Sequence, residues 1–210
     1  MSQVISRPKL NQLIDGWIQA GKQVAGPVQV KSDLVLYRAV AASSDLLWDG
    51  AVRPANSIKE FIFPRHEKLY GYRFQGKQIE LTDVEPFSAD QVIVGARPCD
   101  AASLPILDHV FHWDFEDEFY NRRRERTAVV TLACRTHDEH CFCTSLGLSP
   151  EATQGSDVLL FDLGGDRFEV RCLTDKGEAL FAGQTENSDA VGKADAGPET
   201  KVDAAAIEKF

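Results

Sequence analysis

Four cysteines occupy positions from which they can act on one metal centre: Cys99, Cys134, Cys141 and Cys143. The last three lie on a single short segment, ACRTHDEHCFCTSLG, at residues 133–147. Where thiols stay reduced, clustered cysteines indicate metal binding or catalysis rather than disulfide bonds. The chain has five cysteines, and an odd number does not suit a disulfide framework.

The spacing of these cysteines leaves three kinds of chemistry open. Four convergent thiolates suit an iron–sulfur cluster or a structural zinc ion. Zinc sites usually contain C-x2-C pairs, whereas the close pair here is C-x-C, and the ferredoxin run C-x2-C-x2-C is absent. The third possibility is an unmetallated thiol, with Cys99 as a nucleophile whose pKa is lowered by the helix that follows it.

The elements around the cysteines predict why they should meet. Apolar residues indicate buried strands at 92–96 and 127–133, and the pattern between them predicts a helix over 100–111. A strand–helix–strand unit has parallel strands and a right-handed crossover. Cys99 and Cys134 follow the two strands, so both are expected at the carboxyl edge of the sheet, where open α/β sheets bind their ligands.

The predicted fold class is α/β, with a mixed sheet around this central parallel βαβ unit. An N-terminal amphipathic helix and a β-hairpin on the C-terminal side complete it. The other expected elements are a helix at 8–23, a strand or hairpin at 28–40, a short helix at 57–61, two short strands around Gly76, and the hairpin at 157–174 with its turn at 164–166. Residues 1–181 are expected to form one module. Residues 182–210 are polar and are expected to be a linker and the start of a helix.

Charge and hydropathy exclude several function classes. The 210 residues carry a formal net charge of -9, which disfavours binding to nucleic acid or to an anionic membrane. No run approaches the about 18 apolar residues of a membrane span. The first residues lack the apolar core of a signal peptide, so a cytoplasmic location is expected.

Other chemically capable residues have simpler interpretations. His137 and His140 lie in a polar loop and are expected in solvent, although either would also suit a metal ligand or a hydrogen bond to a cluster sulfur. Cys172 alternates with apolar residues on a predicted strand and is expected in the core. The basic run RRRER at 122–126 predicts a charge-paired surface helix, with a docking face for an acidic partner as the alternative.

Several motifs in this order resemble one family of electron-transfer subunits. It includes the β subunits of sulfhydrogenase-type NiFe hydrogenases and an iron–sulfur subunit of anaerobic sulfite reductase. The resemblance covers about residues 50–180, and its most specific elements are RPCD and CFCTS. The motifs are KEFIFPRHE, GARPCDAASLPILDHVF, RRRERTAVVTLAC, CFCTSLG and GSDVLLFDLGG.

The resemblance implies a cluster-bearing α/β module followed by a ferredoxin-like domain with two [4Fe-4S] clusters. This sequence contains no C-x2-C-x2-C-x3-C run, so the ferredoxin half is expected to be missing or to be a separate chain. For the module itself the resemblance implies a [4Fe-4S] cluster. The implied ligands are Cys99, Cys134, Cys141 and Cys143, with Asp100 as an orienting or substitute ligand and Thr144 and Ser145 as hydrogen-bond donors to cluster sulfurs.

The expected function is an electron-transfer module that binds one iron–sulfur cluster. It would relay electrons between a flavin- or ferredoxin-type partner and a catalytic redox subunit of the hydrogenase or sulfite-reductase type. The expected partners are a ferredoxin-like domain or subunit, a flavin-containing reductase subunit, and the catalytic subunit. The alternatives are a zinc-stabilised scaffold or interaction module and a cysteine-dependent enzyme using Cys99. Neither G-x-G-x-x-G nor G-x4-G-K-[ST] occurs, which disfavours a nucleotide-binding protein.

Overall fold

The structure is a computed structural model that describes residues 3–49, 53–84 and 87–187. Its β-strands are β1 (Gln3–Ser6), β2 (Gln23–Lys31), β3 (Leu34–Ala39), β4 (Tyr70–Gln75), β5 (Gln78–Asp83), β6 (Gln91–Ala96), β7 (Thr127–Leu132), β8 (Val158–Gly164), β9 (Arg167–Cys172) and β10 (Glu186–Asn187). Its α-helices are α1 (Arg7–Gln19), α2 (Pro98–Ala101), α3 (Leu104–Phe111), α4 (Glu118–Arg126) and α5 (Asp175–Phe181). Short 3-10 helices lie at Ser43–Asp45, Ile58–Phe61 and Thr144–Leu146. Within these ranges no helix has the length and apolar character needed to cross a membrane.

One mixed sheet organises the molecule and confirms the predicted fold class. Its strand order is β10-β1-β9-β8-β7-β6-β2-β3. The four central strands β2, β6, β7 and β8 pair in parallel, and the strands outside them pair antiparallel. The predicted parallel unit is therefore present as β6 and β7, joined by α2, α3 and α4.

Both faces of the sheet are covered, which explains why its central strands are apolar throughout. Along β6, Val92 and Val94 pack into one core with α1 and α5, whereas Ile93 packs into a second core with α3 and α4. All six residues of β7 are buried. Parallel strands buried on both faces lose the alternation of apolar and polar residues and become continuously hydrophobic.

Helix α1 is shorter than the predicted 8–23. Its buried residues Leu10, Ile14 and Trp17 have the spacing that predicted the helix. The helix ends at Gln19 because Gly21 adopts a positive φ of 85°, a conformation that ends helices and that glycine adopts without a steric penalty. Gln23 already begins β2, and β2 and β3 form the hairpin expected around residues 28–40.

The crossover between β6 and β7 contains three helices instead of the single helix predicted over 100–111. Helix α2 stops at Ala101, and α3 starts again at Leu104 with a proline in its first turn. Pro105 has no N–H to donate to the carbonyl of Ala101, so a continuous helix would lose this bond. The break separates the four residues that carry Cys99 from the longer helix that packs on the sheet.

Helix α4 contains the basic run and is charge-paired, as predicted. Its arginines make ion pairs with carboxylates on three other segments of the chain as well as within the helix. The pairs are Arg122 with Glu118 (2.5 Å), Arg123 with Glu67 (2.7 Å), Arg124 with Asp108 (3.2 Å) and Arg126 with Asp90 (3.1 Å). These contacts fix α4 against its neighbours and engage the basic side chains that the docking interpretation requires.

Two hairpins confirm the remaining strand predictions. Strands β8 and β9 turn at Gly165 and Asp166, which both have positive φ (59° and 58°), as a tight hairpin requires. Strands β4 and β5 form a separate two-stranded sheet around Gly76.

The described chain continues the sheet beyond residue 181. Strand β10 pairs with β1, which in turn pairs with β9, so residues 3–6 and 186–187 extend the antiparallel side of the sheet. Residues 188–210, which make up most of the predicted linker, lie outside the described residues. Strands β1 and β10 were not predicted from the sequence, because each is short and is defined by pairing with distant residues.

Candidate functional site

The parallel pairing of β6 and β7 places two of the cysteines at one edge of the sheet. Strand β6 ends at Ala96, and Cys99 follows within α2; strand β7 ends at Leu132, and Cys134 follows it by two residues. The register pairs Val94 with Val130 in parallel, so the carboxyl ends of both strands lie side by side. This confirms the part of the prediction that depends on topology.

The electrostatic surroundings of Cys99 show that three thiols approach one another. Although Cys99 reaches solvent, desolvation by the surrounding chain raises the pKa of its thiol, and the nearby Cys134, Cys143 and Asp100 raise it further. The Arg97 guanidinium acts on this pKa in the opposite direction. The lowered pKa expected for Cys99 before a helix is therefore wrong, because α2 is one short turn and the adjacent groups are acidic.

The loop after β7 carries Cys141 and Cys143 and is held by hydrogen bonds and an ion pair. The N–H of Cys134 donates to the carbonyl of Pro150 (3.0 Å), which joins the start of the loop to its end. The N–H of Cys141 donates to the carbonyl of Asp138 (3.1 Å), and the Asp138 carboxylate is paired with Arg53. Cys141 is exposed and Cys143 is half-buried, two residues further along the same loop.

The donor set fits a four-iron cluster in chemical type and number. All five cysteines are free thiols, and four of them belong to the two strand ends and this loop. Among the described residues, no three His, Cys, Asp or Glu side chains are grouped closely enough to hold a single metal ion. In a [4Fe-4S] cluster each cysteine sulfur binds a different iron, so its ligands stand farther apart than the ligands of one ion.

Asp100 is engaged in positioning the backbone beside Cys99. One carboxylate oxygen accepts from the hydroxyl of Ser57 (2.6 Å), and the other accepts from the N–H of the buried Ile58 (2.9 Å). These bonds fix α2 against the 3-10 helix at Ile58–Phe61. The arrangement supports an orienting role for Asp100, and its role as a substitute ligand remains a prediction. Thr144 and Ser145 are exposed on the 3-10 helix that follows Cys143, and their roles as donors also remain predictions.

We expect Asp100→Ala to lower the free energy of unfolding by about 1–3 kcal/mol, because it leaves the buried N–H of Ile58 without its acceptor. Urea unfolding followed by circular dichroism measures the change. Ser57→Ala removes the other bond and leaves the N–H satisfied, so its cost should be smaller. Equal costs for both variants would contradict this account of Asp100.

Arg97 is a site residue that was not predicted from the sequence. Its Nη1 donates to the Sγ of Cys134 at 3.1 Å, so the residue that follows β6 reaches the cysteine that follows β7. Its backbone N–H donates to the hydroxyl of the buried Tyr37 (3.3 Å). Burial, and then the Asp100 carboxylate, raise the pKa of Tyr37, which keeps this hydroxyl protonated. The sequence signal for Arg97 was its place in RPCD, but its partner is 37 residues away along the chain.

The remaining candidates lie apart from this group. His137 and His140 are exposed in the loop, as predicted. Cys172 is half-buried against the core rather than fully buried, because it ends β9 at the rim of the sheet. It pairs with Val158, the first residue of β8. Since β8 runs parallel to β7, Cys172 lies at the edge of the sheet opposite to the other four cysteines.

Comparison with known proteins supports a relationship to hydrogenase subunits. The chain is 35% identical over 119 residues to sulfhydrogenase 2 subunit beta from Pyrococcus furiosus. The aligned region is 57% of this chain and 33% of the relative, so the similarity spans about a third of that protein's length. No protein-family model and no solved structure matches the chain. The similarity supports a hydrogenase β-subunit-like family for this chain.

Proposed function

We propose that this chain is the cluster-binding part of an electron-transfer subunit in an oxidoreductase complex. The observation that carries the proposal is the meeting of Cys99, Cys134 and Cys143 at the carboxyl edge of the parallel strands, with Cys141 on the same loop. The similarity to a sulfhydrogenase β subunit supports a redox role for this arrangement. In this proposal the four cysteines hold one [4Fe-4S] cluster.

A bound cluster would supply one-electron chemistry, and the protein would supply its ligands, its electrostatic environment and access. Access is provided by the loop itself, since Phe142 and Leu146 are each 65% exposed beside the cysteines. Exposed apolar side chains next to a redox centre suit a transient contact with another protein. We propose a ferredoxin-like domain or subunit, a flavin-containing reductase subunit, and a catalytic redox subunit as the partners.

The surroundings of Cys99 favour this proposal over a cysteine-dependent enzyme. A nucleophilic thiol needs a lowered pKa at neutral pH, whereas desolvation, the neighbouring cysteines and Asp100 raise the pKa of the Cys99 thiol and keep it protonated. Metal binding reverses this preference, because a metal stabilises the thiolate and displaces its proton. A group of adjacent thiols is therefore better suited to a metal centre than to covalent catalysis.

We expect the chain purified without oxygen to contain about four irons and about four acid-labile sulfides, as one [4Fe-4S] cluster requires. Chemical analysis of iron, sulfide and zinc, together with the absorption spectrum, measures this directly. About one zinc per chain without sulfide would instead show a zinc-stabilised scaffold. The proposal would also be wrong if the folded chain bound no iron after anaerobic incubation with ferrous iron and sulfide.

A further inference from the structure

We propose that Arg97 is a positioning residue that sets the reduction potential of the metal centre through its hydrogen bond to Cys134. This inference rests on the proposed function and deepens it. It assigns to one side chain the task of balancing the negative charge of the thiolates. The supporting contact is the 3.1 Å bond from Arg97 Nη1 to the Sγ of Cys134.

The backbone holds Arg97 in place on both sides. Its N–H donates to the hydroxyl of Tyr37, which is 3% exposed. Its carbonyl accepts from the N–H groups of Asp100 (3.1 Å) and Ala101 (2.9 Å), the first bonds of α2. Arg97 is thus the residue preceding the helix that carries Cys99, while its side chain reaches Cys134. A guanidinium held in this way keeps its direction when the charge of the site changes.

The charges around the cysteines show why a cation at this point matters. Four thiolates would bring a large negative charge to the site, and the Asp100 carboxylate lies beside Cys99. Two other arginines near the loop are paired with carboxylates: Arg53 with Asp138, and Arg135 with Asp162 (2.9 Å). Arg97 differs from both because its guanidinium donates to a cysteine sulfur.

The direction of the effect follows from the charge of the two redox states. Reduction adds one negative charge to the centre, and a nearby cation that donates to a ligand sulfur stabilises the more negative state. Arg97 should therefore raise the reduction potential. Removing its charge and hydrogen bond should make the centre harder to reduce.

The test compares three variants of the whole chain prepared without oxygen: Arg97→Gln, Arg97→Lys and the control Arg135→Gln. The control makes the same change of charge on the cysteine loop at a residue bonded to Asp162 instead of sulfur. Iron and sulfide are measured first, and the midpoint potential is then obtained by a redox titration followed by electron paramagnetic resonance. We expect Arg97→Gln to lower the ratio of reduced to oxidised centre about tenfold at a fixed potential, or about 59 mV for a one-electron couple. Arg97→Lys should fall between Arg97→Gln and the wild type, and Arg135→Gln should match the wild type.

The outcomes separate this inference from the proposed function. If the wild-type chain holds no iron and sulfide, the proposed function fails and Arg97 has no centre to act on, so both are overturned. If Arg97→Gln holds a full cluster with the wild-type potential, the inference alone is overturned. If Arg97→Gln and Arg97→Lys both lose the cluster while Arg135→Gln keeps it, Arg97 is required for assembly, and a tuning role is likewise overturned.

Discussion

Cys99→Ala should abolish the binding of iron and sulfide by the chain, whereas Cys172→Ala should leave both at the wild-type level. A [4Fe-4S] cluster needs a ligand on each iron, and Cys99 is the proposed ligand that follows β6 at the carboxyl edge of the sheet. Cys172 is a free thiol on the same chain but lies at the opposite edge, next to the start of β8. The two variants therefore make the same substitution and differ in position.

The measurement is iron and acid-labile sulfide per chain after anaerobic purification. Cys134→Ala should behave like Cys99→Ala, since it removes the proposed ligand that follows β7. Circular dichroism of each variant shows whether the chain is folded. Full iron content in a folded Cys99→Ala variant would exclude Cys99 as a ligand. Equal loss of iron in Cys99→Ala and Cys172→Ala would show that the thiols are not distinguished by their place in the sheet.

Gly155→Ala should destabilise the fold and disturb the site together, because Gly155 packs against the helix that carries Cys99. Its φ is +72°, and an added Cβ would lie 2.1 Å from the carbonyl oxygen of Ala101 and 3.1 Å from Pro105 Cδ. The first contact is with backbone, so α2 must move. We expect the free energy of unfolding to fall by about 3 kcal/mol or more, from the positive φ and the overpacking together. Iron content should fall as well.

Gly165→Ala is the matched control, since Gly165 also has a positive φ (59°) but has no atom within 4 Å of its added Cβ. It should cost about 1 kcal/mol, the penalty of the backbone conformation alone. Urea unfolding of both variants measures the difference that arises from the clash. If Gly155→Ala were no more costly than Gly165→Ala, close packing of this residue on α2 would not matter for stability.

The sequence by itself predicted the strands that position the candidate metal centre. The apolar runs at 92–96 and 127–133 correspond to β6 and β7, since a strand buried on both faces must be apolar throughout. The helical pattern between them required a parallel crossover, and a parallel crossover brings Cys99 and Cys134 to one edge. The spacing of Cys141 and Cys143 after the second strand then placed them on the adjoining loop. All of this follows from local patterns and one topological rule.

The tertiary structure alone decided how these groups are arranged and charged. The bond from Arg97 to Cys134, the two bonds from Asp100 to the segment at 57–58, and the packing of Gly155 on Ala101 each join residues that are 37 to 54 positions apart. The direction of the pKa shift of Cys99 depended on these neighbours, and the local sequence predicted the opposite direction. Hydrophobic periodicity describes which face of an element is buried. Hydrogen bonds, ion pairs and desolvation at a site depend on which side chains from different elements meet there, and only the packed chain determines those contacts.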